Sequence, residues 1–149
     1  WDPYHSKLSE LLDRAYRQFG YSILIDAHSM PHEAILNAST GFHKSQLVLG
    51  DRYGASCSPD IVNNLNMLIS KNGLHASRNI PFSGAYIVQK YGRPELNRHA
   101  IQLEIDRSIY MDERKIQKLD KFFDLRNKLL NILKDFSKTH TSVASIAAE

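Results

Sequence analysis

Apolar residues recur at helical spacing from about Pro3 to Phe19, with Leu8, Leu11, Leu12, Ala15 and Phe19 marking one face. Pro3 suits the first turn of such a helix, and Gly20 supplies a stop. A short run of β-branched and apolar residues follows from Tyr21 to Ala27. It predicts a buried central strand with helices over both faces. The run ends on Asp26, His28 and Ser29. Ligands of open α/β sheets bind at the carboxyl ends of strands, so these three polar residues sit where chemistry is expected. A histidine after a strand also serves as an ordinary structural residue, and position alone does not choose.

Residues 29–45 show no period and contain Pro31, Asn37, Ser39, Thr40 and Gly41. They predict a long loop carrying His32 and His43, of the kind that is functional or mobile. Gln46 to Leu49 reads as a short strand ending in Gly50-Asp51-Arg52-Tyr53-Gly54. The bracketing glycines suggest a tight turn, which either presents the Arg52 guanidinium or forms a plain Asp51–Arg52 surface turn. Ser58 and Pro59 open a helix whose apolar face is Ile61, Val62, Leu65, Leu68 and Ile69, closed by Asn72-Gly73. Leu74 to Arg78 reads as a strand, Asn79 to Gly84 as a turn-rich loop, and Tyr86 to Tyr91 as helix or strand.

The clearest alternation is His99 to Asp106. Ile101, Leu103 and Ile105 point one way; Gln102, Glu104 and Asp106 point the other. A carboxylate on a buried strand needs a partner or a function. An edge strand with one solvated face gives the same pattern. Asp112 then reads as the N-cap of a long amphipathic helix running from Ile116 to Phe136, and 137–149 as a flexible tail. The expected organisation is one α/β domain over 1–136. The chain opens on Trp1 rather than a methionine and reads either as processed or as the later part of a longer protein.

Composition adds exclusions. The 149 residues are 42% hydrophobic and 23% charged, ordinary for a globular domain with a real core. A net charge of +3 without a Lys/Arg block argues against a nucleic-acid partner, and no apolar run is long enough to span a membrane. Cys57 is alone, which excludes an internal disulfide and an all-thiolate metal cage. No signal peptide pattern is present, and a cytoplasmic location is expected.

Read together, several segments resemble one family, the N-formylglutamate amidohydrolases. They are Pro3-Tyr4-His5, Ile25-Asp26-Ala27-His28-Ser29-Met30-Pro31 and Val48-Leu49-Gly50-Asp51-Arg52-Tyr53-Gly54 with Ser56-Cys57. Asn79-Ile80-Pro81-Phe82-Ser83-Gly84-Ala85-Tyr86 and Tyr91-Gly92-Arg93-Pro94 follow, then His99 to Arg107 running into Tyr110-Met111-Asp112-Glu113. The ordered set covers nearly all of the chain except the tail.

The resemblance implies a three-layer α/β/α sandwich with a mixed central sheet, similar to the zinc-carboxypeptidase-like (phosphorylase/hydrolase-like) fold. It implies a zinc-dependent hydrolase cleaving N-formyl-L-glutamate to formate and L-glutamate, as in histidine breakdown. His28 would be a zinc ligand and Glu104 the catalytic carboxylate. Asp26 would orient a neighbour of the metal. Arg52 and Arg107 are the candidate cations for a dicarboxylate substrate, since arginine forks onto carboxylates, and Asn79 could hold the amide or a carboxylate. A small N-acyl amino acid is the expected partner.

Three departures stand out. Family members carry a further N-terminal half with a Pro-His-Ser-Gly-type motif, an acidic ligand and an Asn-Arg pair, none of which is in this sequence. The family's Gly-Gly-Tyr reads Gly84-Ala85-Tyr86, and a positive φ at Ala85 would be strained by roughly 1 kcal/mol. Asp106 stands where many members have asparagine. A truncated, non-catalytic homologue and an amidohydrolase for another N-acyl amino acid are therefore the alternatives.

Overall fold

The computed structural model describes residues 1–38 and 45–146, with side chains described as far as 140. His43 and part of the 29–45 loop, and residues 147–149 of the tail, lie outside the described residues. The elements in order are α1 (Asp2–Phe19), β1 (Ser22–Met30), α2 (His32–Leu36), β2 (Leu47–Gly50), α3 (Pro59–Lys71), β3 (Ala76–Arg78), α4 (Tyr86–Tyr91), β4 (Arg98–Asp106), β5 (Met111–Asp112), β6 (Gln117–Lys118) and α5 (Phe122–Ile146).

The central sheet is mixed, in the order β1-β4-β2-β3. β1 runs parallel to β4, β2 antiparallel to β4, and β3 parallel to β2. Leu47, Leu49, Ile101 and Leu103 project from one face. They pack with Ile61, Val62, Leu65 and Ile69 of α3 and Leu125, Ile132 and Phe136 of α5. This face holds the main core. On the other face a small cluster of Met30, Ile35 and Val48 seats α2, and α4 lies against β4 and β1. Helices thus cover both sides of the sheet, as the layered reading expected. Among the described residues no helix is long and apolar enough to cross a membrane.

Four expectations change. First, among the described residues the strand through Asp26 stands at the edge of the sheet, and it runs on to Met30. Asp26, His28 and Ser29 are therefore strand residues, not a loop at its end. Helices on both sides account for the apolar run: Ile23 and Ile25 pack on the main core, and α1 and α4 lie against β1. Second, the alternating strand is the central one. Gln102, Glu104 and Asp106 are all buried, so its polar face is not a solvated edge.

Third, Asp112 caps a turn and not a helix. Its Oδ1 accepts the N–H groups of Arg114 and Lys115, both at 3.0 Å, within the β5–β6 ladder. Fourth, 137–146 continues α5 and is not a frayed tail. No glycine or proline interrupts α5, the Tyr21 hydroxyl donates to the His140 carbonyl, and the His140 ring packs on Phe136 at 4.6 Å. Ser58 takes the N-cap position of α3, but its side chain makes no capping bond.

Cys57 lies wholly inside the main core. Burial first, and then the nearby Asp51 charge, push its thiol up to about 12. The thiolate is the reactive form. Cys57 should therefore resist a maleimide at pH 8 in the folded chain and react once urea unfolds it. Rapid labelling of the native protein would contradict the packing described.

Candidate functional site

In a sheet, register partners share a face. Asp26 pairs with Gln102, His28 with Glu104, and Met30 with Asp106. The parallel β1–β4 pairing therefore gathers Asp26, His28, Gln102 and Glu104 on one patch, on the face opposite the main core. Asp26 and His28 are two residues apart on one strand, so their side chains lie side by side. Asp26 Oδ1 holds His28 Nε2 at 2.9 Å. That contact fixes the ring and leaves Nδ1 with the free lone pair, the arrangement usual for a carboxylate-oriented metal histidine. The His28 side chain remains 48% exposed.

Glu104 is buried at the centre of the sheet. Its Oε1 accepts Gln102 Nε2 at 3.0 Å. Gln102 Oε1 in turn accepts the Ala85 N–H at 3.0 Å, so the loop before α4 sets the orientation of the Glu104 carboxyl. Burial raises the Glu104 pKa above the ordinary carboxylate range. His28 and Arg107 pull it down, and Asp26 pushes it up. Glu104 Oε2 and Asp26 Oδ2 are buried without a hydrogen-bond partner. Two such oxygens on one patch are the mark of a place meant for a cation or ordered water.

A catalytic zinc calls for about three protein donors. His28 and the two free carboxylate oxygens are suitable in kind. Among the described residues, however, no group of three or more His, Cys, Asp or Glu side chains is placed to hold a metal ion. The patch alone therefore does not make up the three donors that a catalytic zinc calls for.

The other expected residues fall nearby or apart. Arg107 leaves the end of β4 and donates from Nη2 to the Ser29 carbonyl at 3.2 Å and from Nε to Ser29 Oγ at 3.4 Å. Its charge reaches Glu104, but it makes no hydrogen bond to it. Arg52 stands in a short 3-10 turn after β2, and both Arg52 and Tyr53 hold left-handed backbone, φ 54° and 57°. Such geometry in bulky residues persists only where the surroundings enforce it, and it clusters at functional sites. Here the Arg52 N–H donates to the Ser83 carbonyl at 2.7 Å. Gly50 lets the two segments meet, since a Cβ there would lie 2.7 Å from Gly84 N.

Asn79 is bonded to Asp51. Its Oδ1 accepts the Asp51 N–H at 3.0 Å, and its Nδ2 donates to Asp51 Oδ1 at 2.6 Å. Both amide atoms are engaged with Asp51, so Asn79 holds the turn. Asp51 is wholly buried. It pairs not with Arg52 but with Arg78, whose Nη2 and Nε reach Oδ2 at 2.5 Å and Oδ1 at 3.2 Å. Ala85 has φ −101°, and the positive φ of 105° falls on Gly84. The strain expected at Ala85 is absent.

His32, expected in a loop, opens α2. Its Nδ1 lies 2.8 Å from Asp106 Oδ2 and 3.1 Å from Ser108 Oγ. The extra charge of Asp106 is thus met by His32 and by the Ser108 N–H. Gln102 and Arg78 were not singled out from the sequence. The alternation of β4 did place Gln102 beside Glu104. Nothing local marked Arg78, because its partner lies on a different strand end.

Two measurements check this geometry. Arg78→Ala leaves the buried Asp51 carboxylate without its cation and should destabilise the chain by about 3 kcal/mol in urea unfolding; a loss under about 0.5 kcal/mol would mean that the pair holds nothing. For Glu104, the raised folded-state pKa means that the native chain binds more protons than the unfolded one. Its contribution to stability therefore falls as pH rises from about 4.3 through the raised value. Glu104→Gln should flatten that fall in metal-free protein and make the variant the more stable chain at pH 7. Parallel stability–pH profiles would contradict the burial of Glu104.

Comparison with known proteins fits the same picture. The family model for N-formylglutamate amidohydrolase matches residues 1–111. The chain is 36% identical over 115 residues to an N-formylglutamate deformylase of Pseudomonas aeruginosa, and 39% identical over 114 residues to one of Pseudomonas putida. Each match covers 76% of this chain but only 42% of the relative. The crystal structure of an N-formylglutamate amidohydrolase from Ralstonia eutropha JMP134 superposes with a TM-score of 0.83 at 32% identity, over 92% of this chain and 50% of that one. The chain thus spans about half or less of the proteins it matches, and it belongs to the N-formylglutamate amidohydrolase family.

Proposed function

We propose that the chain carries the general base and one metal ligand of a zinc-dependent amidohydrolase that converts N-formyl-L-glutamate and water to formate and L-glutamate. The observation that carries this reading is the β1–β4 register. It sets an oriented imidazole, His28, beside a buried carboxylate, Glu104, with one free oxygen. The names of the relatives supply the substrate class, and the α/β/α layering is consistent with the zinc-carboxypeptidase-like architecture.

Zinc, when bound, lowers the pKa of a water and polarises an amide carbonyl. His28 would hold it together with donors that are not among the described residues. Glu104 accepts a proton from the attacking water and passes it to the departing amino nitrogen as the C–N bond breaks. A carboxyl pKa raised by burial suits both halves of that transfer. Gln102 keeps the carboxylate aimed, and Asp26 keeps the imidazole aimed. Arg52, on its constrained turn, and Arg107 are the cations for the substrate's carboxylates.

A second reading has its own observation. The absence of a three-donor group among the described residues favours a homologue that keeps the fold and has no turnover of its own. Metal content and formate release from N-formylglutamate separate the two. Stoichiometric zinc with formate release supports the enzyme. With it, Glu104→Gln should keep zinc and lower kcat by about 100-fold or more, while His28→Ala should lose zinc. A folded chain that neither binds zinc at micromolar concentration nor releases formate supports the second reading.

A further inference from the structure

A depression of about 270 Å³ lies at the N-terminal end of β1 and β4, between α1 and α4. Three cations line it, Lys90, Arg93 and Arg98, against one carboxylate, Asp13. Ser22 lines it too. Ser22 and Arg98 are register partners, so their side chains share the face on which α1 and α4 lie. Ser22 stands six positions before His28, about 20 Å of strand. The depression is therefore apart from the Glu104 patch.

The backbone holds the two arginines together. The Arg93 N–H donates to the Arg98 carbonyl at 2.6 Å, and the Arg98 N–H to the Arg93 carbonyl at 3.1 Å, an antiparallel bridge. Like charges directly opposite across such a pair repel. Asp13 answers part of this, since its Oδ1 accepts Arg98 Nη1 at 2.6 Å. Arg93 spends only Nη1, on the carbonyls of Gln89 and Gly92. A guanidinium carries five N–H donors, so both arginines keep most of theirs. Lys90 Nζ lies 5.5 and 5.6 Å from the centres of the Tyr86 and Tyr91 rings and makes no ion pair among the described residues. Ser22 is 2% exposed, and its hydroxyl has no hydrogen-bond partner among the described residues. A buried polar group left in that state calls for an explanation.

We propose that this depression binds a small, doubly charged oxyanion, a phosphate or a short dicarboxylate. Three cations against one carboxylate leave a surplus of two positive charges, which such an anion matches. Arg93 and Arg98 fork onto its oxygens, Lys90 supplies a point charge, and the Ser22 hydroxyl donates from the floor. Lying between the two arginines, the anion offsets their repulsion. Asp13 competes with it for Arg98, so binding is weak, with a Kd of about 1 mM. The site uses none of the residues assigned to the amidohydrolase reaction, and its failure would leave that reading untouched.

The full chain is titrated with inorganic phosphate and, separately, with glutarate, at constant ionic strength, and the backbone amide signals are followed by NMR. Saturable shifts should centre on Ser22, Lys90, Arg93 and Arg98. Saturation by only one of the two anions identifies its class as the ligand; saturation by both shows a site for doubly charged oxyanions in general. Lys90→Gln and Arg93→Gln, both at exposed positions, should each weaken binding by about 10-fold. Asp13→Asn frees Arg98 and should tighten binding by about 10-fold. A carboxylate that only tied α1 to the sheet would instead cost stability and leave the affinity as it was. No saturation by either anion up to about 20 mM overturns the proposal, as do shifts centred on His28 and Glu104. An affinity that the two glutamine variants leave unchanged, or that Asp13→Asn leaves unchanged, overturns it as well.

Discussion

The structure depends most on the burial of three polar side chains along one face of a central strand. Gln102, Glu104 and Asp106 would each cost several kcal/mol if buried without partners. Gln102 and Asp106 are answered from outside the strand, and Glu104 only by Gln102 beside it. Gln102 takes the Ala85 N–H and donates to Glu104. Asp106 takes His32 from α2 and the Ser108 N–H from the turn that follows β4. These bonds tie the loop before α4, the start of α2 and the end of β4 to the sheet. Glu104 alone keeps an unanswered oxygen. A fold that satisfies its neighbours and leaves this one open has the form of a site, since a purely structural carboxylate would be met on both oxygens.

The second constraint is the Asp51 clamp. A wholly buried carboxylate takes three hydrogen bonds, two from Arg78 and one from Asn79, while its own N–H returns one to Asn79. An internal ion pair of this kind is weak evidence for stability. Its consequence is geometric. It fixes the residue before Arg52, so that Arg52 and Tyr53 hold left-handed backbone that neither would choose alone. The close meeting of Gly50 with Gly84 then binds this turn to the loop that orients Gln102. The cation on the turn and the carboxylate on β4 are thereby parts of one connected framework.

Much of this was legible in the sequence, for reasons that differ by residue. The period of two over 99–106 placed Glu104 and Gln102 on one face because side-chain alternation is local. The helices α1 and α3 were legible from their 3.6 period. What failed depended on long-range pairing. A run such as Ser22 to Ala27 predicts a strand covered on both faces, which β1 is, but carries no information on which strands stand beside it. Asn79 reads as a polar loop residue until Asp51, 28 positions away, is brought against it. Asp112 has the chemistry of a cap, and a hairpin turn uses the same N–H acceptor that a helix would. The end of α5 is held by Tyr21, which no local pattern over 137–146 can reveal.

The layout also explains why the candidate site is strong in one direction and open in another. Glu104 lies on the inner strand, with β2 and its Val48 on one side. His28 and Asp26 lie on the outermost strand, and nothing described stands beyond them. Charges in contact with water interact weakly, and the same charges interact several times more strongly once water is displaced. As the edge stands, solvent at half-exposed His28 screens its interaction with Asp26 and Glu104. Displacing water from His28 would strengthen that interaction. The field at Glu104 would then rise through desolvation alone. The chemistry of the patch is set by the residues of β1 and β4, and its strength by how much water reaches His28.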